Sequence, residues 1–131
     1  MKNKISVIIP SYNHAEYVSK AVESVLSQTL PAYEIIVIDD GSKDNTEEVV
    51  AKYKSKIIYV KQKNQGVSAS RNNGENISNG DFVAFLDADD EWLPTKIEKQ
   101  LEIFERNPKI GLAHCGYIDI DGEGTFLKEH L

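Results

Sequence analysis

Glu34-Ile35-Ile36-Val37-Ile38-Asp39-Asp40-Gly41-Ser42 is a β-branched apolar run that stops on two carboxylates and a glycine turn. β-Branched side chains suit strands, and an unbroken rather than alternating apolar run predicts a strand covered on both faces. The chain on either side repeats the theme. Ile5 to Ile9 is a second such run, ended by Pro10, and Phe82 to Leu86 is another; Ile57 to Val60 is a shorter one. Between them lie helical patterns. Val18, Ala21, Val22, Val25 and Leu26 share one face of a helix over 15–28. Asp44 followed by Glu47 reads as a capping box opening a helix to about Tyr53. Pro94 suits the first turn of a helix that carries Ile97, Leu101 and Phe104 inward and stops at Asn107-Pro108. Ile110 to Ile120 reads as an antiparallel edge strand, and Gly122 and Gly124 place a loop after it. Buried strands separated by helices define an α/β fold: a mostly parallel sheet with helices on both faces, one domain over 1–131.

Composition bounds the function. The chain has 131 residues, 40% hydrophobic and 27% charged, with a net charge of −6. That is enough to bury a core, and it excludes collagen, coiled coil and wholesale disorder. The acidic balance argues against nucleic-acid binding driven by phosphate charge. The apolar runs fall far short of a membrane span. Met1-Lys2-Asn3-Lys4 leads directly into the first strand without the apolar stretch of a secretory leader. The lone Cys115 excludes an internal disulfide and fits a reducing, cytoplasmic setting.

In parallel α/β sheets, ligands bind beyond the carboxyl ends of the strands. Pro10-Ser11-Tyr12-Asn13 follows the first strand, Asp39-Asp40-Gly41-Ser42 the second, and Asp87-Ala88-Asp89-Asp90-Glu91 the fourth. Crowded carboxylates repel unless a cation is present, and oxygen-rich groups suit Mg²⁺ or Mn²⁺ carrying substrate phosphates; a solvated acidic turn capping the next helix is the plainer reading. Asp39 and Asp40 form a turn or accept hydrogen bonds from a base or ribose. Tyr12 packs in the core or stacks on a base. The stretch Asn64-Gln65-Gly66-Val67-Ser68-Ala69-Ser70-Arg71-Asn72-Asn73-Gly74 is too polar for a core helix, and its glycine and asparagines weaken any helix. Arg71 within it is placed to pair with a phosphate or with a nearby Asp. His14, His114 and His130 show no metal-ligand spacing and read as structural or surface residues. Asn76-Ile77-Ser78 is a chance sequon.

Five segments in order resemble the family 2 glycosyltransferases, enzymes of the Rossmann-like GT-A fold. They are Ile5 to Asn13, Ser24-Val25-Leu26-Ser27-Gln28-Thr29, Glu34 to Asp44, Asn64 to Gly74, and Gly80 to Asp90. The resemblance implies that Pro10 and Tyr12 pack on the base of a nucleotide-sugar, usually uracil. It implies that Asp40 hydrogen-bonds the base with Asp39 beside it, and that Arg71 lies near base and phosphates. Asp87-Ala88-Asp89 looks like the family's Asp-x-Asp motif, with Asp87 near the ribose and Asp89 on a divalent cation, Mn²⁺ or Mg²⁺. It further implies transfer of a sugar from a UDP-sugar to a hydroxyl of a glycan or lipid-linked acceptor, with inversion, in cell-surface polysaccharide synthesis at the inner face of the membrane.

The chain departs from the family in length, since complete catalytic domains run roughly twice as long. The missing half supplies the acceptor pocket and general base; Asp119, Asp121, Glu123 and Glu129 offer no convincing equivalent, so the catalytic base is unassigned. The expectation is a donor-binding half, truncated before the acceptor half, that transfers sugar poorly alone and self-associates through bared apolar surface. A non-catalytic nucleotide-sugar-binding module is the alternative. A haloacid-dehalogenase-like phosphatase also places Asp-x-Asp after a strand, but Glu91 stands where that motif has Thr or Val. A dinucleotide oxidoreductase would need glycines after the first strand, where Pro10-Ser11-Tyr12-Asn13 has none.

Overall fold

The structure, a computed structural model, describes residues 3–131; Met1 and Lys2, part of the polar lead into the first strand, lie outside the described residues. The strands β1 (Ile5–Ser11), β2 (Glu34–Asp39), β3 (Ile58–Lys61) and β4 (Phe82–Phe85) form one parallel sheet in the order β3-β2-β1-β4. Helices α1 (Val18–Leu26), α2 (Thr46–Val50), α3 (Val67–Ile77) and α4 (Lys96–Arg106) connect or follow them. The chain forms two compact units, residues 1–98 and 99–131. No helix among the described residues is long and apolar enough to cross a membrane.

The two central strands carry the apolar runs, and every residue of β1 is buried. Ile8, Ile36 and Ile38 are fully enclosed, with Val60 and Val83 packed against them. Each such side chain contributes about 1.5–3 kcal/mol by leaving water. α1 buries Val18, Ala21, Val22 and Val25, the helical face read from the sequence.

Pro10 does not end β1, which continues to Ser11 and pairs Pro10 with Ile38. It ends one ladder instead. Leu86 N–H donates to Ile8 O, and the next bond toward β4 would need a donor at residue 10, which proline lacks. β1 stays paired to β2, where Asp40 N–H reaches Ser11 O at 2.8 Å, while β4 stops at Phe85. The sheet therefore opens between the ends of β1 and β4, the point where strand order reverses.

α1 starts later than its pattern predicts because Asn13, at φ 53°, turns the chain and Tyr17 and Val18 N–H bond to His14 O first. Asp44 is no capping box. Its Oδ1 accepts Thr46 N–H and its Oδ2 accepts Ala15 N–H, so it ties two loops together. α2 is short and passes into a 3₁₀ turn over Ala51–Tyr53. The stretch read as too polar for a core helix, with residues that weaken any helix, is helical from Val67 as α3, since Ser70 and Gly74 form its buried face and a Cβ on Gly74 would stand 2.5 Å from Ile8 Cγ2. Its inner face is small rather than apolar.

The 99–131 unit holds an antiparallel pair, β5 (Tyr117–Ile120) and β6 (Phe126–His130). The expected edge strand does not form: the shorter β5 pairs only with β6, in a two-stranded sheet separate from the parallel one, and the expected terminal loop is a turn followed by β6. Asp121 Oδ1 accepts the Glu123 and Thr125 N–H groups and Gly124 takes φ 88°, which closes the hairpin.

Candidate nucleotide-binding site

The opening at the strand ends is a cleft of about 570 Å³, within the usual range for small-molecule sites. β1 supplies Pro10, Ser11, Tyr12 and His14 from its end and the loop beyond; the turn after β2 supplies Asp40; the β3–α3 segment supplies Asn64, Gly66, Val67, Ser70 and Arg71; the loop after β4 supplies Asp87, Ala88 and Asp89. A smaller hollow of about 110 Å³ near the start of β2 is walled by Val25, Leu26, Pro31, Ala32 and Ile35, with Tyr33, Glu34 and Lys56 beside them.

Asp40 is almost wholly buried. Its Oδ1 accepts Gln62 Nε2–H and Gln65 N–H, each at 2.8 Å, and its Oδ2 accepts Gly66 N–H at 2.9 Å. Burial raises its pKa, but the Gln62 amide and the two backbone donors outweigh it, and the carboxyl sits below its ordinary value. It is an ionised, acceptor-only group with one lone-pair position on Oδ2 unused by the protein. These bonds also fix the entry to α3, where Gly66 takes φ 96°.

α3 then projects Arg71 across the cleft. Its Nη2 donates to Asp87 Oδ1 at 2.9 Å, and its guanidinium lies 5.8 Å from the Phe85 ring centre, within cation–π range. The pair is too exposed to contribute much stability. Among the described residues, the buried side-chain polar atoms without a partner are Ser11 Oγ, His14 Nδ1 and Arg71 Nε, and all three residues line this cleft. Unsatisfied buried groups are rare in folded proteins, and here they leave three hydrogen-bonding positions open to a polar ligand or water.

Asp87 and Asp89 share one wall of the cleft. Partial desolvation, then repulsion from Asp89 and Asp87, raises the Asp90 carboxyl above its ordinary range. Among the described residues no three His, Cys, Asp or Glu side chains gather into a self-sufficient metal cage. Mg²⁺ and Mn²⁺ do not require one: they take one or two carboxylates and complete their shell with waters and substrate phosphates. The donor set fits a cation that arrives with a diphosphate.

Of the residues singled out in the sequence, Pro10, Tyr12, Asp40, Arg71, Asp87 and Asp89 meet in the cleft. Asp39 departs from the expectation. It is fully buried and absent from the lining; its Oδ1 accepts Ser42 N–H and its Oδ2 accepts the Tyr59 hydroxyl. Burial of Tyr59 itself, then its hydrogen bond to Asp39 and the charge of that carboxylate, push the Tyr59 hydroxyl far above the ordinary tyrosine range. Asp39 shapes the turn that presents Asp40. His14, read from sequence as structural or surface, lies in the cleft; its place just beyond β1 was the available signal. Gln62, which braces Asp40, was also missed, although it stands directly beyond the end of β3 and so carried the same signal.

A parallel sheet that opens at its switch point onto a cleft lined by Asp40, Arg71, Asp87 and Asp89 defines a Rossmann-like α/β unit with a candidate ligand site at the strand ends. The sequence profile described as Glycosyl transferase family 2 matches residues 6–130, and the chain belongs to that family. It is 43% identical over 131 residues to an uncharacterized glycosyltransferase of Nostoc sp. (strain PCC 7120), covering 96% of this chain and 40% of the relative. It is 36% identical over 135 residues to the putative teichuronic acid biosynthesis glycosyltransferase TuaG of Bacillus subtilis (strain 168), covering 99% of this chain and 53% of TuaG. The structure of S. aureus TarS 1–349 in complex with UDP-GlcNAc superposes with TM-score 0.73 at 26% identity, over 85% of this chain and 37% of that one. The chain thus has the GT-A fold and spans about half or less of these proteins' lengths.

Proposed function

We propose that this chain is the donor-binding part of a glycosyltransferase that moves a sugar from a nucleoside-diphosphate sugar, UDP-linked, to an acceptor hydroxyl with inversion. The convergence of Asp40, Arg71, Asp87 and Asp89 on one cleft carries the reading. The relative solved with UDP-GlcNAc supports uridine as the base, and the teichuronic acid relative supports a polysaccharide acceptor. Tyr12, 41% exposed at the end of β1, offers a ring for the base above the rigid Pro10 corner. Asp40 accepts the base's ring N–H on its remaining lone pair. Arg71 leaves Asp87 in part to meet phosphate, and Asp87 turns to the ribose. Asp89 holds the divalent cation, which neutralises charge on the departing diphosphate.

In the transfer itself the acceptor oxygen bonds to the anomeric carbon as the carbon–oxygen bond to the β-phosphate breaks. The acceptor's proton passes to a carboxylate base; no residue of this chain is assigned that role. Exposed Leu112, Tyr117, Phe126 and Leu127 support self-association of the isolated chain. Family membership leaves the phosphatase reading without support.

Calorimetric titration of UDP, with GDP and TDP beside it, each with Mn²⁺ and with EDTA, tests the reading. UDP binding is expected to tighten with Mn²⁺, and Asp89→Ala to abolish that gain while sparing the metal-free affinity. Absence of binding to every diphosphate overturns the reading.

A further inference from the structure

This inference rests on the nucleotide-binding reading of the cleft. Asp87, Asp89, Asp90 and Glu91 put four acids into five residues. The segment that carries them has little structure of its own: Asp90 N–H donates to Asp87 O at 3.0 Å, and residues 91–93 are neither helix nor strand. Mutual repulsion of the carboxylates works to spread it. Its shape is imposed from outside, by the C-terminal end of α1. Trp92 N–H donates to Ser24 Oγ at 3.1 Å, and Thr29 N–H donates to Pro94 O at 2.8 Å. Between these two lies Gln28, 7% exposed. Its Nε2 donates to Leu93 O at 2.8 Å and to Ser24 O at 3.0 Å, and its Oε1 accepts Ile97 N–H at 3.0 Å.

We propose that Gln28 is a positioning residue for the acidic loop: its amide clamps the loop's far end and so sets where Asp87 and Asp89 stand in the cleft. A glutamine that only finished α1 would need the Ser24 carbonyl alone. The other two bonds reach residues 65 and 69 positions away. Both faces of the amide are used, so no other side chain of that volume supplies the same set. Gln28 does not line the cleft. It acts on the carboxylates that meet the cation, while the base end at Asp40 is braced separately by Gln62 and the β3–α3 segment.

That separation gives the test. UDP is titrated calorimetrically into the unaltered chain and into Gln28→Met, with Mn²⁺ and with EDTA. The sole tryptophan, Trp92, sits in the clamped segment and reports its order by fluorescence anisotropy. In Gln28→Met, affinity with Mn²⁺ is expected to fall ~10-fold or more, the scale of residues that orient metal-binding carboxylates. Affinity in EDTA is expected to hold, and Trp92 anisotropy to drop. Full retention of the Mn²⁺ gain overturns the proposal, and so does an equal loss in both conditions, which marks a purely structural residue. Ser24→Ala removes the acceptor for Trp92 N–H, along with a hydroxyl bond to Ala21 O inside α1, and leaves Gln28 in place, which keeps the question answerable if Gln28→Met does not fold. A partial loss of the Mn²⁺ gain in Ser24→Ala supports the clamp, and none overturns it. If the unaltered chain binds UDP in neither condition, the nucleotide reading itself fails and this inference falls with it.

Discussion

On the proposed function, Asp40 is the residue that couples the fold to the ligand. Three donors hold its carboxylate, and two are the backbone N–H groups of Gln65 and Gly66 at the entry to α3. Its folded pKa lies below the ordinary 3.8, so its contribution to stability is fully present above about that pH and is lost as pH falls through the lowered value. Asp40→Asn keeps the volume but exchanges an accepting oxygen for a donor that faces donors. The variant is expected to lose about 2 kcal/mol at pH 7. In urea unfolding at pH 7 and pH 3, the gap to the unaltered protein should shrink at the lower pH; an equal gap at both sinks the account. On the proposed function, the same remaining lone pair would set base preference. Uracil and guanine present a ring N–H there and cytosine a lone pair, so CDP is expected to bind ~10-fold or more weakly than UDP. Equal affinities in a calorimetric comparison would remove Asp40 from the base. Asp40 was legible in the sequence because it ends an apolar strand. Asp39 ends the same strand with the same chemistry, and one residue of register sends it into the protein instead, onto Ser42 and Tyr59. Sequence cannot tell such neighbours apart without the curl of the turn between them.

At the scale of elements, the β-strands were legible and the helix that matters most to the site was not. β1 and β2 announce themselves by unbroken β-branched runs, because both faces of those strands are covered; β4 carries a similar apolar and aromatic run although it is only partly buried. α3 hides, because what it packs is the absence of side chain: Ser70 and Gly74, one helical turn apart, lie against the sheet. A polar helix with a glycine reads as a loop until its partner is known to press close. Gly74→Ala tests this. Helix propensity alone favours the change by about 1 kcal/mol. The added Cβ would stand 2.5 Å from the Cγ2 of fully buried Ile8, so the net result is expected to be a loss of ~1–3 kcal/mol. Ile8→Ala should relieve part of that loss in a double-mutant cycle followed by urea unfolding. A Gly74→Ala protein more stable than its parent would show that α3 stands off the sheet. Pro10 taught a related lesson. It reads as a strand terminator, yet the residue it silences is the next donor to β4, and β1 runs on beside β2. The cleft opens where that one donor is missing, so the proline belongs to the site as architecture as well as lining.

For the whole molecule, order should be uneven in a way the burial pattern dictates. β1 is buried along its length, and the sheet it centres is covered by helices. The β5–β6 hairpin has exposed residues at every position but His130. Two strands alone are marginal in water, and here the reinforcing contacts are the Tyr117–His130 ring stack at 4.4 Å and the half-exposed His130–Asp119 pair at 2.8 Å. Amide hydrogen exchange should therefore be slowest in β1 and β2 and fastest over 117–130, with the fast group opening far more readily than the sheet. The cleft offers a second contrast within the same measurement. The segments 64–67 and 86–93 depend on side-chain clamps from Asp40, Ser24 and Gln28 rather than on ladders of their own. On the proposed function, UDP with Mn²⁺ would bind only the folded cleft and stabilise it by mass action. Saturation is expected to slow exchange in those two segments and to leave 117–130 at its former rate. Protection that rises over 117–130 as much as over 86–93 would mean that the hairpin takes part in binding, and protection confined to 64–67 would mean that the acidic loop does not meet the ligand.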